Sequence, residues 1–196
     1  KTFLFYQFSL LIHVESFIII MLSYEYLSVL WYFGRKFRMF RVGDMVAHPL
    51  HGAGVIDSIE EKNINGVTRE YYIFKMPSSG MVVMIPIENS EEIGVRPIIK
   101  PAEADMLMKA LSDIEIDMTN NWNRRYRENM LRLKSGDLME VARVVKGLMA
   151  RDSDKGLSTG ERKMLRSAKQ ILISEIVLST SSKYEEVEEK INKALA

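Results

Sequence analysis

The sequence predicts an α+β fold: a small Tudor- or SH3-like antiparallel β-barrel over residues 39–97, then an all-α helical domain over residues 101–196. Short segments rich in Val, Ile, Tyr and Met, separated by Gly, Pro and Ser, fill residues 40–92. After Pro101 the apolar positions recur with the helical period of 3.6, and helix-start signals follow one another to the end of the chain. At 196 residues, 47% hydrophobic and 27% charged, the chain is long enough and apolar enough to bury a core, which excludes wholesale disorder. The absence of cysteine excludes a disulfide framework, a thiolate zinc site and a cysteine nucleophile, and fits the reducing cytoplasm. Three histidines, His13, His48 and His51, are too few and too scattered for a metal site.

Residues 1–38 differ from everything after them. They are dominated by Phe, Leu, Ile, Tyr and Ser, with little capping or turn chemistry. As a membrane span, residues 2–24 have the length, but Glu15 would sit near the middle at a cost of about 2.5–3.5 kcal/mol. As a signal peptide they lack a basic start and a small-residue cleavage site. The chain begins with Lys, and Met39 stands directly before a well-patterned domain, so the segment reads as upstream sequence translated in frame, with a membrane anchor or a buried apolar extension as the alternatives. It carries +2 of charge; the remainder is −1, so any nucleic-acid contact must come from a local patch.

The expected strands are 44–48, 54–64, 68–76 and 81–86. Asn65-Gly66 lies between the second and third and is the favoured pair for a type I′ hairpin, whose central residues both need positive φ. Pro77-Ser-Ser-Gly80 makes the next turn. The helical half opens with 102–111 after Pro101. A second helix starts near Thr119 or Asn120 and stops before Gly136. Three capping boxes follow, Asp137-Leu-Met-Glu140, Ser158-Thr-Gly-Glu161 and Ser182-Lys-Tyr-Glu185, opening helices over about 138–150, 159–178 and from 183 onward.

No catalytic constellation stands out: there is no glycine-rich phosphate loop, nucleophile motif or paired His and carboxylate, so neither an enzyme, a cofactor nor a small-molecule substrate is expected. His48-Pro-Leu-His51-Gly reads as a structural turn. The informative stretch is Trp122-Asn-Arg-Arg-Tyr-Arg127, where Arg124, Arg125 and Arg127 surround a tryptophan at a helix start. Basic residues beside an aromatic suit phosphate anchoring with a wedge or stacking platform. The alternative is a buried tryptophan with a solvated basic face. Arg162, Lys163, Arg166 and Lys169 form a second basic set along the long helix, outside its apolar face.

From Met39 to Leu195 the chain resembles the CarD/CdnL family of bacterial transcription regulators. The resemblance rests on Phe40-Arg-Val-Gly-Asp44, His48-Pro-Leu-His-Gly52, Ile85-Pro-Ile-Glu-Asn89 with Ile93-Gly-Val-Arg96, Asn121-Trp-Asn-Arg-Arg-Tyr126, Lys134-Ser-Gly-Asp137, Gly156-Leu-Ser-Thr-Gly-Glu161, Met164-Leu and Ala168-Lys-Gln-Ile-Leu172. It implies a Tudor-like domain that docks on the RNA polymerase β subunit, through Lys62 and Ile64 on the second strand and the Met84-Ile85-Pro86 segment. It implies that the helical domain contacts promoter DNA in the minor groove at the upstream edge of the bubble, with Trp122 as the wedge and Arg124, Arg125, Arg127 and Arg162 beside it. Met84 stands where some relatives carry arginine, which leaves the polar part of the polymerase contact open. A membrane-attached adaptor and an RNA-binding barrel are the rival readings; the latter would need exposed aromatics among Tyr71, Tyr72 and Phe74.

Overall fold

The computed structural model describes residues 40–77 and 79–195. The expectations for residues 1–38, and for Ser78 within its turn, lie outside them.

Five strands form one antiparallel sheet: β1 (Met45–His48), β2 (Gly52–Ile64), β3 (Val67–Lys75), β4 (Val82–Pro86) and β5 (Arg96–Pro97), in the order β4-β3-β2-β1-β5. Asn65 and Gly66 take φ of 53° and 80°, the geometry that the hairpin between β2 and β3 demands. The register shifts between Ile56 and Ser58, and such a bulge sharpens the twist of a strand long enough to pair with both neighbours. Alternation places Ile56, Tyr72, Phe74 and Ile85 on the inner face, all at most 1% exposed.

Between β4 and β5 the chain makes a 3-10 turn (Ile87–Asn89) and a one-turn helix α1 (Ser90–Ile93), ended by Gly94 at φ 91°. Neither these nor the two-residue β5 left a pattern in the sequence, because such short segments span no full period. Pro97 is tolerated because β5 is an edge strand.

The helices are α2 (Pro101–Ala110), α3 (Trp122–Lys134), α4 (Leu138–Lys155), α5 (Thr159–Thr180) and α6 (Tyr184–Leu195). Their shared core includes Leu111, Leu133, Val141, Val145, Leu148, Met164, Ile171, Leu172 and Ile191. Of the three capping boxes, only Ser158/Glu161 forms: Ser158 Oγ accepts from the Glu161 N–H, and Glu161 accepts from the Ser158 N–H. Asp137 does cap α4, accepting from Met139, but Glu140 turns sideways to Arg143 and Arg132. At α6, Ser182 Oγ accepts from the Thr180 hydroxyl, so that box is a correction to the sequence reading. α4 also runs five residues past Ala150, to Lys155. Among the described residues no helix is long and apolar enough to cross a membrane.

Residues 41–196 cluster as one compact unit, and the sheet is seated on α5. Gly52, at φ 89°, lets β2 approach so closely that a Cβ there would lie 2.4 Å from Ser174 Oγ and 3.1 Å from Ile171 Cα. The Ala53 N–H donates to Ser174 Oγ at 2.9 Å. Beside it Arg96, on β5, makes a two-pronged ion pair with Glu175, which is 1% exposed. Arg96 also donates to the Gly136 carbonyl at 2.7 Å, and Glu175 accepts the Ile99 N–H at 3.1 Å.

Candidate nucleic-acid interface and docking face

The start of α3 is fixed by Asn121, whose Oδ1 accepts the Arg124 N–H at 3.0 Å. This cap puts Trp122 at the first helical position, where a side chain leaves the helix end instead of joining its apolar stripe. The indole stacks on Tyr126 with ring centroids 5.4 Å apart and an interplanar angle of 23°. Its Nε1 donates to Ser158 Oγ at 3.2 Å, and 45% of the residue remains exposed. One side of the ring is thus braced against α3 and the start of α5, and the rest is open.

Arg125 does something else. It is 2% exposed, donating from Nε and Nη2 to Glu161 Oε1 at 2.9 and 2.6 Å, and from Nη1 to the carbonyls of Thr119 and Asn120. Glu161 also accepts from the Ser158 hydroxyl at 2.8 Å, and Arg151 approaches it at 3.4 Å. Burial pushes the Glu161 carboxyl up, but the Arg125 and Ser158 hydrogen bonds outweigh it and hold the group below the usual carboxylate range. This corrects the sequence reading: Arg125 is too deeply buried to reach DNA and instead locks the 119–121 loop, α3 and α5 together beneath Trp122.

The other basic residues divide. Arg124 is exposed and paired to Glu128 at 2.7 Å, which raises its pKa. Arg127 is exposed, donating to the Asn123 carbonyl at 3.3 Å. The two arginines border a shallow cavity of about 540 Å³ with Thr119, Asn121, Glu128 and Leu131. Arg162, Lys163 and Arg166 are exposed on α5, Arg162 in the same first turn whose Ser158 holds the indole. Lys169, about 10 Å along the helix from Arg162 but one turn beyond Arg166, is half-buried and donates to Asn192 of α6 at 2.7 Å, and this bond sets it apart from the exposed group.

On the sheet, register decides which side chains share a face. Lys62 lies opposite Arg69, Ile64 opposite Val67, Met84 opposite Ile73 and Pro86 opposite Tyr71. Parity puts all of these on the outer face. Ile85 points the other way and is 1% exposed, so the expectation that it belongs to the docking surface is corrected to a core role. Met45 and Val82, 48% and 53% exposed, extend the outer apolar surface along the row Met45, Val55, Lys75, Val82. The sequence reading missed both, although the alternation of Val82 and Met84 around a buried position was available as a signal. Tyr72 and Phe74 are fully buried and Tyr71 is 8% exposed, so the aromatic platform needed by an RNA-binding barrel does not form there.

His48 and His51 pack ring to ring at 4.5 Å in the turn after β1. His48 Nδ1 accepts the Leu50 N–H, and burial, helped by the neighbouring His51, lowers its pKa to about 4. Burial lowers that of His51 as well. The folded state therefore binds fewer protons than the unfolded chain as pH falls from about 6.5 toward about 4, so stability is full above that window and declines through it. Urea midpoints measured down this range are expected to fall; a flat profile to about pH 5 would contradict the buried neutral pair. Among the described residues no His, Cys, Asp and Glu side chains gather as a metal site.

Comparison with known proteins agrees with both halves. Residues 40–99 match the CarD-like/TRCF RID domain, and residues 106–192 match the CarD C-terminal domain. The chain is 37% identical over 138 residues, 70% of its own length and 90% of the relative's, to "Putative transcription factor YdeB" of Bacillus subtilis (strain 168). An antiparallel sheet seated on a helical half with a braced, half-open tryptophan, matched in order by both domains and by a relative covered over 90% of its length, makes this chain a member of the CarD/CdnL family of bacterial transcription regulators.

Proposed function

We propose that the protein docks on the RNA polymerase β subunit through the outer face of its sheet and holds Trp122 against promoter DNA at the upstream edge of the bubble, stabilising the open complex. Residues 39–97 are the polymerase-binding part and residues 101–196 the DNA-binding part. The observation that supports this most is Trp122 itself: a large aromatic, 45% exposed, on a base stiffened by a buried ion pair. Exposed aromatics of this size have little structural use, whereas an unstacked base step offers them a partner.

The physics follows from the energy of unstacking. Wedging an aromatic into duplex DNA costs a few kcal/mol per step, and at a fork junction melting has already met that cost. Binding to open DNA is therefore stronger than to closed DNA, and the equilibrium moves toward the open state by that difference. Arg124, Arg127 and Arg162, with Lys163 and Arg166 further along α5, contact phosphates, which fixes register without reading sequence. Docking on polymerase selects the promoter, because tethering raises the local concentration of a weak DNA binder. In vitro transcription with the cognate polymerase tests the whole reading: the lifetime of the open complex is expected to lengthen when the protein is added, and an unchanged lifetime would refute it.

Two substitutions separate the halves. Lys62→Glu is expected to weaken binding to the β subunit by about 1 kcal/mol, mostly through slower association, because Lys62 is nearly half exposed and already shares its charge with Glu60 at 2.5 Å. Arg124→Glu and Arg162→Glu should each lower the log–log salt slope of DNA binding by about one, with stability lowered only slightly, since Arg124 loses its pair with Glu128 and Arg162 its bond to the Leu157 carbonyl. Equal slopes in wild type and both variants would return these arginines to a merely solvated face.

A further inference from the structure

Resting on that reading, we propose that Ser174 and Glu175 of α5, with Arg96 of β5, are positioning residues. They hold the docking face of the sheet and the Trp122 platform in one fixed geometry, so that the protein acts as a rigid bracket.

α5 belongs to both sites. Its first turn supplies Ser158, which holds the indole, and Glu161, which anchors Arg125 below it. About four turns later the same helix supplies Ser174 and Glu175 to the sheet. Ser174 holds β2 through the Ala53 N–H, at a point where Gly52 removes the side chain that would keep the strand away. Glu175 takes both prongs of Arg96 and the N–H of Ile99, so the connection between β5 and α2 is pinned as well. Arg96 reaches on to the Gly136 carbonyl in the turn between α3 and α4. Nothing of this is needed for either half to touch its own partner, since neither Ser174 nor Glu175 lies on the outer sheet face or near Trp122.

The chemistry selects for fixed direction. Glu175 is a carboxylate 1% exposed whose oxygens are occupied by a guanidinium fork and a backbone N–H, an arrangement that tolerates only a narrow range of angles. A flexible tether would let the tryptophan search a volume, and its effective concentration at the fork would fall accordingly. A bracket whose angle matches polymerase and upstream DNA pays no such search.

The test compares wild type, Ser174→Ala/Glu175→Gln and the milder Glu175→Asp, each as the full chain. Three quantities are measured: affinity for the β subunit, affinity for fork-junction DNA without polymerase, and open-complex lifetime with polymerase. The expected result is that both separate affinities stay within about twofold of wild type while the lifetime gain drops by about tenfold or more in the double variant. The Glu175→Asp chain, which keeps the charge with a shorter reach, should fall between. A Ser174→Ala/Glu175→Gln chain that is folded, binds both partners and still lengthens the lifetime as wild type does would overturn the proposal. So would a lifetime loss that merely follows a loss of one separate affinity, in Glu175→Asp if the double variant does not fold. Failure of wild type itself to lengthen the lifetime would instead refute the parent reading, which the wild-type arm reports independently.

Discussion

Arg125→Ala is expected to destabilise the protein by about 3–5 kcal/mol, because it leaves Glu161 as a buried carboxylate without its guanidinium. The carboxylate would keep the Ser158 donors and Arg151 at 3.4 Å, which do not replace a guanidinium donating twice to Oε1. Thr119 and Asn120 would also lose the donor that their carbonyls share. Domain stabilities are of the order of 5–15 kcal/mol, so this is a large share. Arg125→Lys should recover only part of it, since an ammonium cannot span Glu161 and two carbonyls in one plane. Urea unfolding measures the loss. A DNA-contacting arginine would show the opposite pattern, with normal stability and a reduced salt slope, and that result would restore the reading that sequence alone supported.

Trp122→Ala is expected to leave polymerase binding unchanged and to shorten the open-complex lifetime by about 5- to 150-fold, the kinetic equivalent of losing about 1–3 kcal/mol of base stacking in the open state alone. Folding should suffer less than for a core tryptophan, where the loss is about 3–5 kcal/mol. Half of the ring is already in water, and what disappears is the stack on Tyr126, worth about 0.5–1.5 kcal/mol, with one bond to Ser158. Trp122→Phe keeps an aromatic face and should retain part of the lifetime. A large drop in melting temperature with a normal lifetime in the folded fraction would make the residue structural.

These two positions also mark where local sequence pattern foretells a side chain's exposure and where it does not. The exposure of Trp122 was legible because Thr119-Asn-Asn is cap chemistry that puts it at a helix start, although the cap falls at Asn121 and not at the expected Thr119 or Asn120. Arg125 was not, because its neighbours Arg124 and Arg127 carry the same charge. Only helical phase separates them: Arg125, Asn129 and Leu133, four residues apart, form the buried stripe. The hairpin at Asn65-Gly66 was legible because its φ requirement is local. The Ser182 box failed although its spacing is right, because Ser181 turns left-handed at φ 53° and Ser182 faces Thr180 instead. The contacts of Arg96 and Glu175 lie 79 residues apart, and no local pattern encodes such a meeting.

The bond from Ala53 to Ser174 spans 121 residues of chain. At a synthesis rate of about 5–20 residues per second, the strand carrying Gly52 and Ala53 leaves the ribosome roughly ten seconds before the helix that covers it. During that interval the Ala53 N–H has no serine to meet, and the surface that Gly52 keeps flat faces water. The nascent sheet is held by its hairpins and by the pairing of β1 with β5, and closure of the joint is a late, long-range step of high contact order. A helix near the end of the chain therefore completes one of the first strands, and a ribosome that stops before α5 releases a sheet still missing its seat.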